Sequence, residues 1–237
     1  MSVSSAALAA TDSEASVLLQ FAGHAFEPLV SGGLYWHAER TLLVADLHLE
    51  KFSSFARKGS LLPPYDTAMT LKRLEADIAR TGAERVVALG DSFHRDEGTA
   101  TLLDADRLRL AGLLASAHWT WVSGNHDPSP HALGGVCVPM LEHRGLTLTH
   151  EPRRGVPGLV AGHLHPAAQV MLDGRSVRRP CFVQDGNLLL LPAYGSSTGS
   201  INILGPAFAG LFDHARLEVT MIGRHRVYPV SVKRLVV

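Results

Sequence analysis

The sequence predicts an α/β fold, with a parallel sheet covered by helices in the first half and a strand-rich second half packed against it. Three observations lead there. Short β-type runs alternate with two helix-period segments up to about residue 122, helical periodicity disappears after about residue 158, and metal-ligating residue types stand just past the ends of the strand-like runs.

The elements follow in order. Residues 17–21, 33–37 and 41–45 read as strands, the last leading into Asp46. After Pro63-Pro64 a helix is expected to start with Asp66 as N-cap, to place Leu71, Leu74 and Ile78 on one face, and to stop at Gly82. Residues 85–89 form a strand that ends in Gly90-Asp91. A second helix over 101–117 carries Leu103, Leu110 and Leu114 as its buried stripe. Strands 119–122 and 146–149 lead into Gly124-Asn125-His126-Asp127 and into His150. Beyond a loop at 152–158, strands at 168–172, 187–191, 217–222 and 227–232 are separated by Gly, Pro and Asp-Gly turns, the signature of an antiparallel sheet. No internal repeat is present.

Composition limits the function classes. The chain has 237 residues, 46% hydrophobic and 19% charged, enough to bury a substantial core. Its 22 basic and 22 acidic side chains cancel, which excludes a polybasic protein that holds nucleic acid by bulk charge. The zero conceals a split: residues 1–143 carry 11 basic and 17 acidic side chains, net −6, and residues 144–237 carry 11 and 5, net +6. Cys137 and Cys181 stand far apart without CxxC spacing, so neither a disulfide framework nor a thiolate zinc site is expected. No apolar run approaches the ~18–20 residues of a membrane span. Residues 1–16, small and polar with Asp12 and Glu14 and no Lys or Arg, are expected to be a disordered tail rather than a signal peptide, leaving 17–237 as a single domain in the cytoplasm.

Five short motifs carry the chemistry: Asp46-Leu47-His48, Gly90-Asp91, Gly124-Asn125-His126-Asp127, His150, and Gly162-His163-Leu164-His165. Residues past strand C-termini of an α/β sheet point into the crevice where ligands bind, so the five can converge. An extended backbone would set residues i and i+2 of Asp-x-His and His-x-His on one side, and the adjacent glycines admit close backbone approach. Carboxylates, an amide oxygen and imidazoles form a mixed O/N donor set that suits Mn²⁺, Fe²⁺ or Zn²⁺ better than oxygen-only ions. Each motif alone is commonplace; all five in order predict a two-metal site.

In that order the motifs resemble the calcineurin-like metallophosphoesterase superfamily, whose pattern is DxH, GD, GNH(D/E), H and GHxH. The resemblance implies an αββα sandwich of two mixed sheets flanked by helices. It also implies one metal on Asp46, His48, Asp91 and His165, and a second on Asp91, Asn125, His150 and His163. Asp91 would bridge them. His126 would face the leaving group as general acid or transition-state stabiliser, with Asp127 orienting its ring. Gly90-Asp91-Ser92-Phe93-His94 departs from the Ser/Thr phosphatase pattern and is similar to repair nucleases of the SbcD type, which would bring His94 to the scissile phosphate.

A narrower resemblance rests on Asp46-Leu47-His48-Leu49-Glu50-Lys51, Ala56-Arg57-Lys58-Gly59, Leu62-Pro63-Pro64-Tyr65-Asp66-Thr67 and Leu191-Pro192-Ala193-Tyr194-Gly195. These look like the bacterial ligase-associated DNA damage response endonucleases (PdeM type). That implies a phosphodiesterase acting on DNA, as an endonuclease or end-processing nuclease, with an ATP-dependent DNA ligase and a helicase as partners. Glu50 stands where that group has glycine, so its carboxylate is expected either to oppose a phosphate or to point outward. Arg57, Arg153 and Arg154 are the candidate phosphate contacts, with Arg178-Arg179 further on. Phe52, Phe55, Tyr65 and Tyr194 could stack bases but read as core or turn residues. Two other classes stay open: a hydrolase of nucleotides or other small phosphate esters, and a scaffold that only binds partners. The cofactor expected is a pair of divalent ions, Mn²⁺ first, with Fe²⁺, Zn²⁺ or Mg²⁺ as alternatives.

Overall fold

A computed structural model describes residues 17–56 and 65–237. The expected tail at 1–16, the Pro63-Pro64 turn and Arg57-Lys58 lie outside the described residues. Among those described, seven strands form the first sheet: β1 (Leu19–Phe21), β2 (His24–Pro28), β3 (Leu34–Trp36), β4 (Thr41–Val44), β5 (Arg85–Leu89), β6 (His118–Val122) and β7 (Val136–Val138). They lie side by side in chain order, antiparallel from β1 to β4 and parallel from β4 to β7. Parallel neighbours need crossovers. Helices α1 (Lys51–Ala56) and α2 (Asp66–Thr81) bridge β4 to β5, and α3 (Gly98–Thr101) and α4 (Asp104–Ser116) bridge β5 to β6.

The parallel strands are apolar on both faces, as a doubly covered sheet requires. Leu42, Val44, Val86, Ala88, Trp119 and Trp121 pack with Leu71, Leu74 and Ile78 of α2 and Leu110 and Leu113 of α4. The alternate residues Leu43, Ala45, Val87, Leu89 and Val122 face the second sheet, where they meet Leu146, Leu148, Val160, Phe182 and Leu189.

That second sheet comprises β8 (Leu141–His143), β9 (Leu146–Leu148), β10 (Leu159–Ala161), β11 (Pro166–Leu172), β12 (Arg175–Gln184), β13 (Leu188–Leu190), β14 (Ile201–Asn202), β15 (Glu218–Ile222) and β16 (Val227–Val230). It is mixed rather than antiparallel: β10 runs parallel to both β9 and β13, and β14 parallel to β11. The segment expected as a loop at 152–158 is the crossover that parallel pairing of β9 and β10 demands. A third cluster, including Ile203, Phe208, Phe212 and Leu217, covers the outer face of this sheet from 3₁₀ turns and loops.

Two helix details differ from the sequence reading. The chain is extended at Leu102 and Leu103 between α3 and α4, so Leu102 turns inward and Leu103 is half exposed. The buried stripe of α4 is then Asp106, Leu110 and Leu113, with Leu114 only partly covered. Asp66 is the first helical residue of α2 rather than its N-cap, and its Oδ2 accepts the Phe52 N–H at 3.0 Å, tying α1 to α2.

The segment after β13 ties the layers together. The Tyr194 and Gly195 amides donate to the carbonyls of Ala45 (2.8 Å) and Asp46 (3.1 Å), and the fully buried Tyr194 hydroxyl donates to Asp77 Oδ2 of α2 at 2.8 Å. Burial, then the Asp77 carboxylate, push the Tyr194 phenol well above its ordinary value. Tyr194→Phe leaves a buried carboxylate short of a donor, so it is expected to cost about 1–3 kcal/mol in urea denaturation at pH 7. Because the raised value means that Tyr194 ionises only in the unfolded chain, its stabilisation is complete below about pH 10 and lost as pH rises beyond it. The gap between wild type and variant is therefore expected to narrow in strong alkali; a constant gap would contradict the buried bond.

Candidate metal centre

The loops after β4 and β5 are zipped together past the strand ends. Asp46 N donates to Gly90 O (3.2 Å), His48 N to Asp91 O (2.9 Å), Leu49 N to Ser92 O (2.9 Å), and His94 N back to Leu49 O (2.9 Å). Leu47, Leu49 and Phe93 anchor this ladder in the core. The backbone at the motifs is not extended, as the i, i+2 argument supposed. Asp46, His48, Glu50, Asp91, His163 and His165 all have positive φ, between 42° and 72°. Left-handed backbone at a non-glycine residue costs roughly 1–3 kcal/mol and persists where the surroundings impose it, typically at functional sites.

Nine of the residues expected at the site come together. Asp46, at the end of β4, is fully buried, and its carboxylate accepts the His163 amide at 2.9 and 3.2 Å. His165 Nε2 lies 3.3 Å from Asp46 Oδ1 and 3.3 Å from His48 Nε2, and His48 Nε2 lies 3.7 Å from Asp91 Oδ2. On the other side, His150 Nε2 lies 2.9 Å from Asn125 Oδ1, 3.1 Å from His163 Nδ1 and 3.3 Å from Asp91 Oδ1. Asp46, His48 and His165 form one group of possible ligands and Asp91, His150 and His163 another, and His48 also groups with His94 and His126.

The donor set fits a cation. His150 Nδ1 donates to the Leu89 carbonyl (3.0 Å), which leaves Nε2, set among an amide oxygen, a carboxylate and another imidazole, to take a proton or a metal ion. Burial pulls the His150 imidazole down, but Asp91 and Asp46 outweigh it and hold it at about 9. Burial likewise disfavours the charged form of Asp91, yet His150 holds that carboxylate at about 2. The field at this point thus favours positive charge, whether a proton or a metal ion. His48 differs: burial takes it down to about 3 against the pull of Asp91, so it offers a neutral ligand nitrogen.

Two glycines are required by this crowding. A Cβ on Gly90 (φ 77°) would overlap the His150 ring, and one on Gly124 would overlap the Asp91 amide nitrogen and Oδ1.

His94 and His126 form the wall beside the two groups. Their rings stack with centroids 5.2 Å apart, and His126 Nε2 points back to Asp91 Oδ2 at 3.9 Å. His126 is oriented by the His94 carbonyl, 3.0 Å from Nδ1, and not by Asp127 as expected. Asp127 instead accepts the amides of Phe93 (3.0 Å) and Gly124 (3.1 Å), because the turn carries it beneath the loop; burial pushes its carboxyl up to about 6. Glu50 neither opposes the site openly nor points outward. It is buried, its amide donates to Thr67 Oγ1 (2.8 Å), and that hydroxyl donates back to Oε1 (3.0 Å).

Among the described residues, Arg153 and Arg154 are not among those gathered at the site. Arg153 is exposed, and Arg154 lines a separate cleft with Asp185 and Phe212. Arg57 lies outside the described residues. The carbonyls of Leu89 and His94, which orient two imidazoles, had no signal in the sequence, because every residue type carries that group.

Two outcomes test the centre. A divalent ion at ~100 times its Kd would stabilise the fold by about 2.7 kcal/mol, which in a chain of this size raises Tm by roughly 5–10 °C; chelator should reverse the shift. Gly124→Ala should keep its circular dichroism and lose bound metal by mass spectrometry. Full metal retention would mean that the cradle is not needed.

No protein-family model and no curated protein matches the chain. Among solved structures it resembles nuclease MPE of Pseudomonas putida, at 30% identity and a TM-score of 0.69, over 91% of this chain and 100% of that one. YfcE, a phosphoesterase from E. coli, matches at 17% identity and a TM-score of 0.37 over 83% of this chain and 96% of the other. A protein of unknown function from Aquifex aeolicus matches at 15% and 0.36 over 53% and 78%. These last two superpose too loosely to bear on function. With the Pseudomonas protein aligned along its whole length on a chain that clusters its histidines and carboxylates in this way, the chain belongs to the metallophosphoesterase family and is a metal-dependent phosphoesterase.

Proposed function

We propose that the protein is a dinuclear phosphodiesterase that cleaves DNA, using Mn²⁺ in preference to Fe²⁺, Zn²⁺ or Mg²⁺. The observation that carries this reading is Asp91, set between two clusters of ligands in a chain 30% identical to a nuclease. Asp46, His48, Asp91 and His165 would hold one ion, and Asp91, Asn125, His150 and His163 the other. When bound, such ions supply positive charge at the phosphate and acidify a water molecule.

The chain's own residues do the rest. The His94 carbonyl accepts the His126 Nδ1–H, which turns Nε2 toward the site, 3.9 Å from Asp91 Oδ2. A proton on Nε2 would pass to the leaving oxygen of the broken P–O bond. His94, stacked on His126, would contact the phosphate itself. The buried walls, Asp46, His48 and His150 among them, exclude bulk water. The motif resemblance supports a place in DNA repair beside a ligase and a helicase, in the cytoplasm; among the described residues no helix is long and apolar enough to cross a membrane.

The test is a panel of circular single-stranded, nicked and linear DNA with bis-p-nitrophenyl phosphate, each with every metal. Linearisation of the circle by Mn²⁺-loaded protein is expected; ester hydrolysis without DNA cleavage under any metal would refute the nuclease reading. His126→Ala is expected to slow DNA cleavage by about 10²–10⁴-fold and the nitrophenyl ester by much less, since nitrophenolate leaves without a proton. Asp91→Ala should lose both metals, and activity retained in that variant would overturn the dinuclear arrangement.

A further inference from the structure

Arg73 of α2 makes no ion pair among the described residues. Its Nη1 donates to the carbonyls of Tyr194 (2.7 Å) and Ser31 (3.4 Å), and its guanidinium carbon lies 5.5 Å from the centroid of the Tyr194 ring. Carbonyls and an aromatic face fix the position of a guanidinium without neutralising it. An arginine held this way keeps its charge and most of its N–H fork for another partner.

That partner's place is a cleft of about 320 Å³ lined by both His165 of the metal centre and Arg73. Pro166 and Pro180, and the hydroxyl residues Thr198 and Ser200, are among the residues that line it. No acidic residue is among the described residues that line it. The volume lies in the range that holds one small ligand. A polynucleotide cut at the metals brings a sugar, a base and a second phosphate alongside. The apolar prolines, the hydroxyl residues and the guanidinium match those three parts in turn.

We infer that this cleft takes the nucleotide next to the scissile linkage and that Arg73 binds its phosphate, so the protein selects polymers over isolated phosphodiesters. The inference rests on the DNA-cleaving reading above. Arg73 is a binding residue here, and it does not touch the reacting atoms.

The experiment compares KM for a short single-stranded oligonucleotide and for bis-p-nitrophenyl phosphate in Mn²⁺-loaded wild type, Arg73→Ala and Ser200→Trp. Loss of one charge-assisted bond should raise KM for the oligonucleotide over that for the nitrophenyl ester by roughly ten- to hundredfold. Ser200→Trp fills the cleft while leaving Arg73 and its support of Tyr194 in place, so it decides the matter if Arg73→Ala proves unstable. Metal content by mass spectrometry separates either effect from damage at His165. If wild type hydrolyses the nitrophenyl ester but no oligonucleotide, the nuclease reading falls and this inference with it. If wild type cleaves both and the variants raise the two KM values equally or not at all, the cleft assignment alone is wrong.

Discussion

Two buried carboxylates ringed by imidazoles are the constraint around which this protein is organised. Asp46 and Asp91 are removed from water; each accepts a backbone amide, from His163 and His126 respectively, and imidazole nitrogens crowd their remaining sides. Burying ionised carboxylates is costly unless positive charge compensates them. The His150 imidazole, held near 9 by those same carboxylates, shows how strongly a cation is favoured there. The left-handed backbone at six motif positions and the glycine cradles make sense as the cost of bringing these groups so close.

The fold meets that cost by division of labour. The parallel strands of the first sheet deliver the carboxylates and Asn125 at their C-terminal ends, and the second sheet delivers His150, His163 and His165. The shared core between the sheets, from Leu43 and Leu89 to Leu148 and Leu189, fixes one set against the other. The opposite net charges of the two halves follow the same division: the oxygen donors gathered at the site come from the acidic part and the imidazoles mostly from the basic part.

Much of this is legible in the sequence because ligand chemistry and strand ends leave residue-level marks. The order of Asp46, Asp91, Asn125, His150 and His163-x-His165 identifies the site, and the runs at 41–45 and 85–89 place it at strand ends. What is not legible depends on the backbone or on context. The long strand β12 begins Arg175-Ser176-Val177-Arg178-Arg179 and carries no apolar alternation, because its first half is exposed beside β11. Leu103 has the right spacing for the α4 stripe, but an extended link sets the register one residue earlier. Asp127 and Glu50 are carboxylates next to ligands, and only the fold reveals that they brace amides and a hydroxyl rather than the substrate.

The tie between residues 194–195 and the Asp46 strand end has a consequence for how the protein is made. Asp46 and Asp91 leave the ribosome early, while the histidines between 150 and 165 and the amides of Tyr194 and Gly195, which pin the carbonyls of Ala45 and Asp46, arrive much later. Domains are synthesised from the N-terminus onward, and strain at the early motifs has nothing to offset it until the second sheet docks. Chains that stop before residue 194 therefore lack the amides that pin the Asp46 strand end, and the centre is finished only once the second sheet has docked.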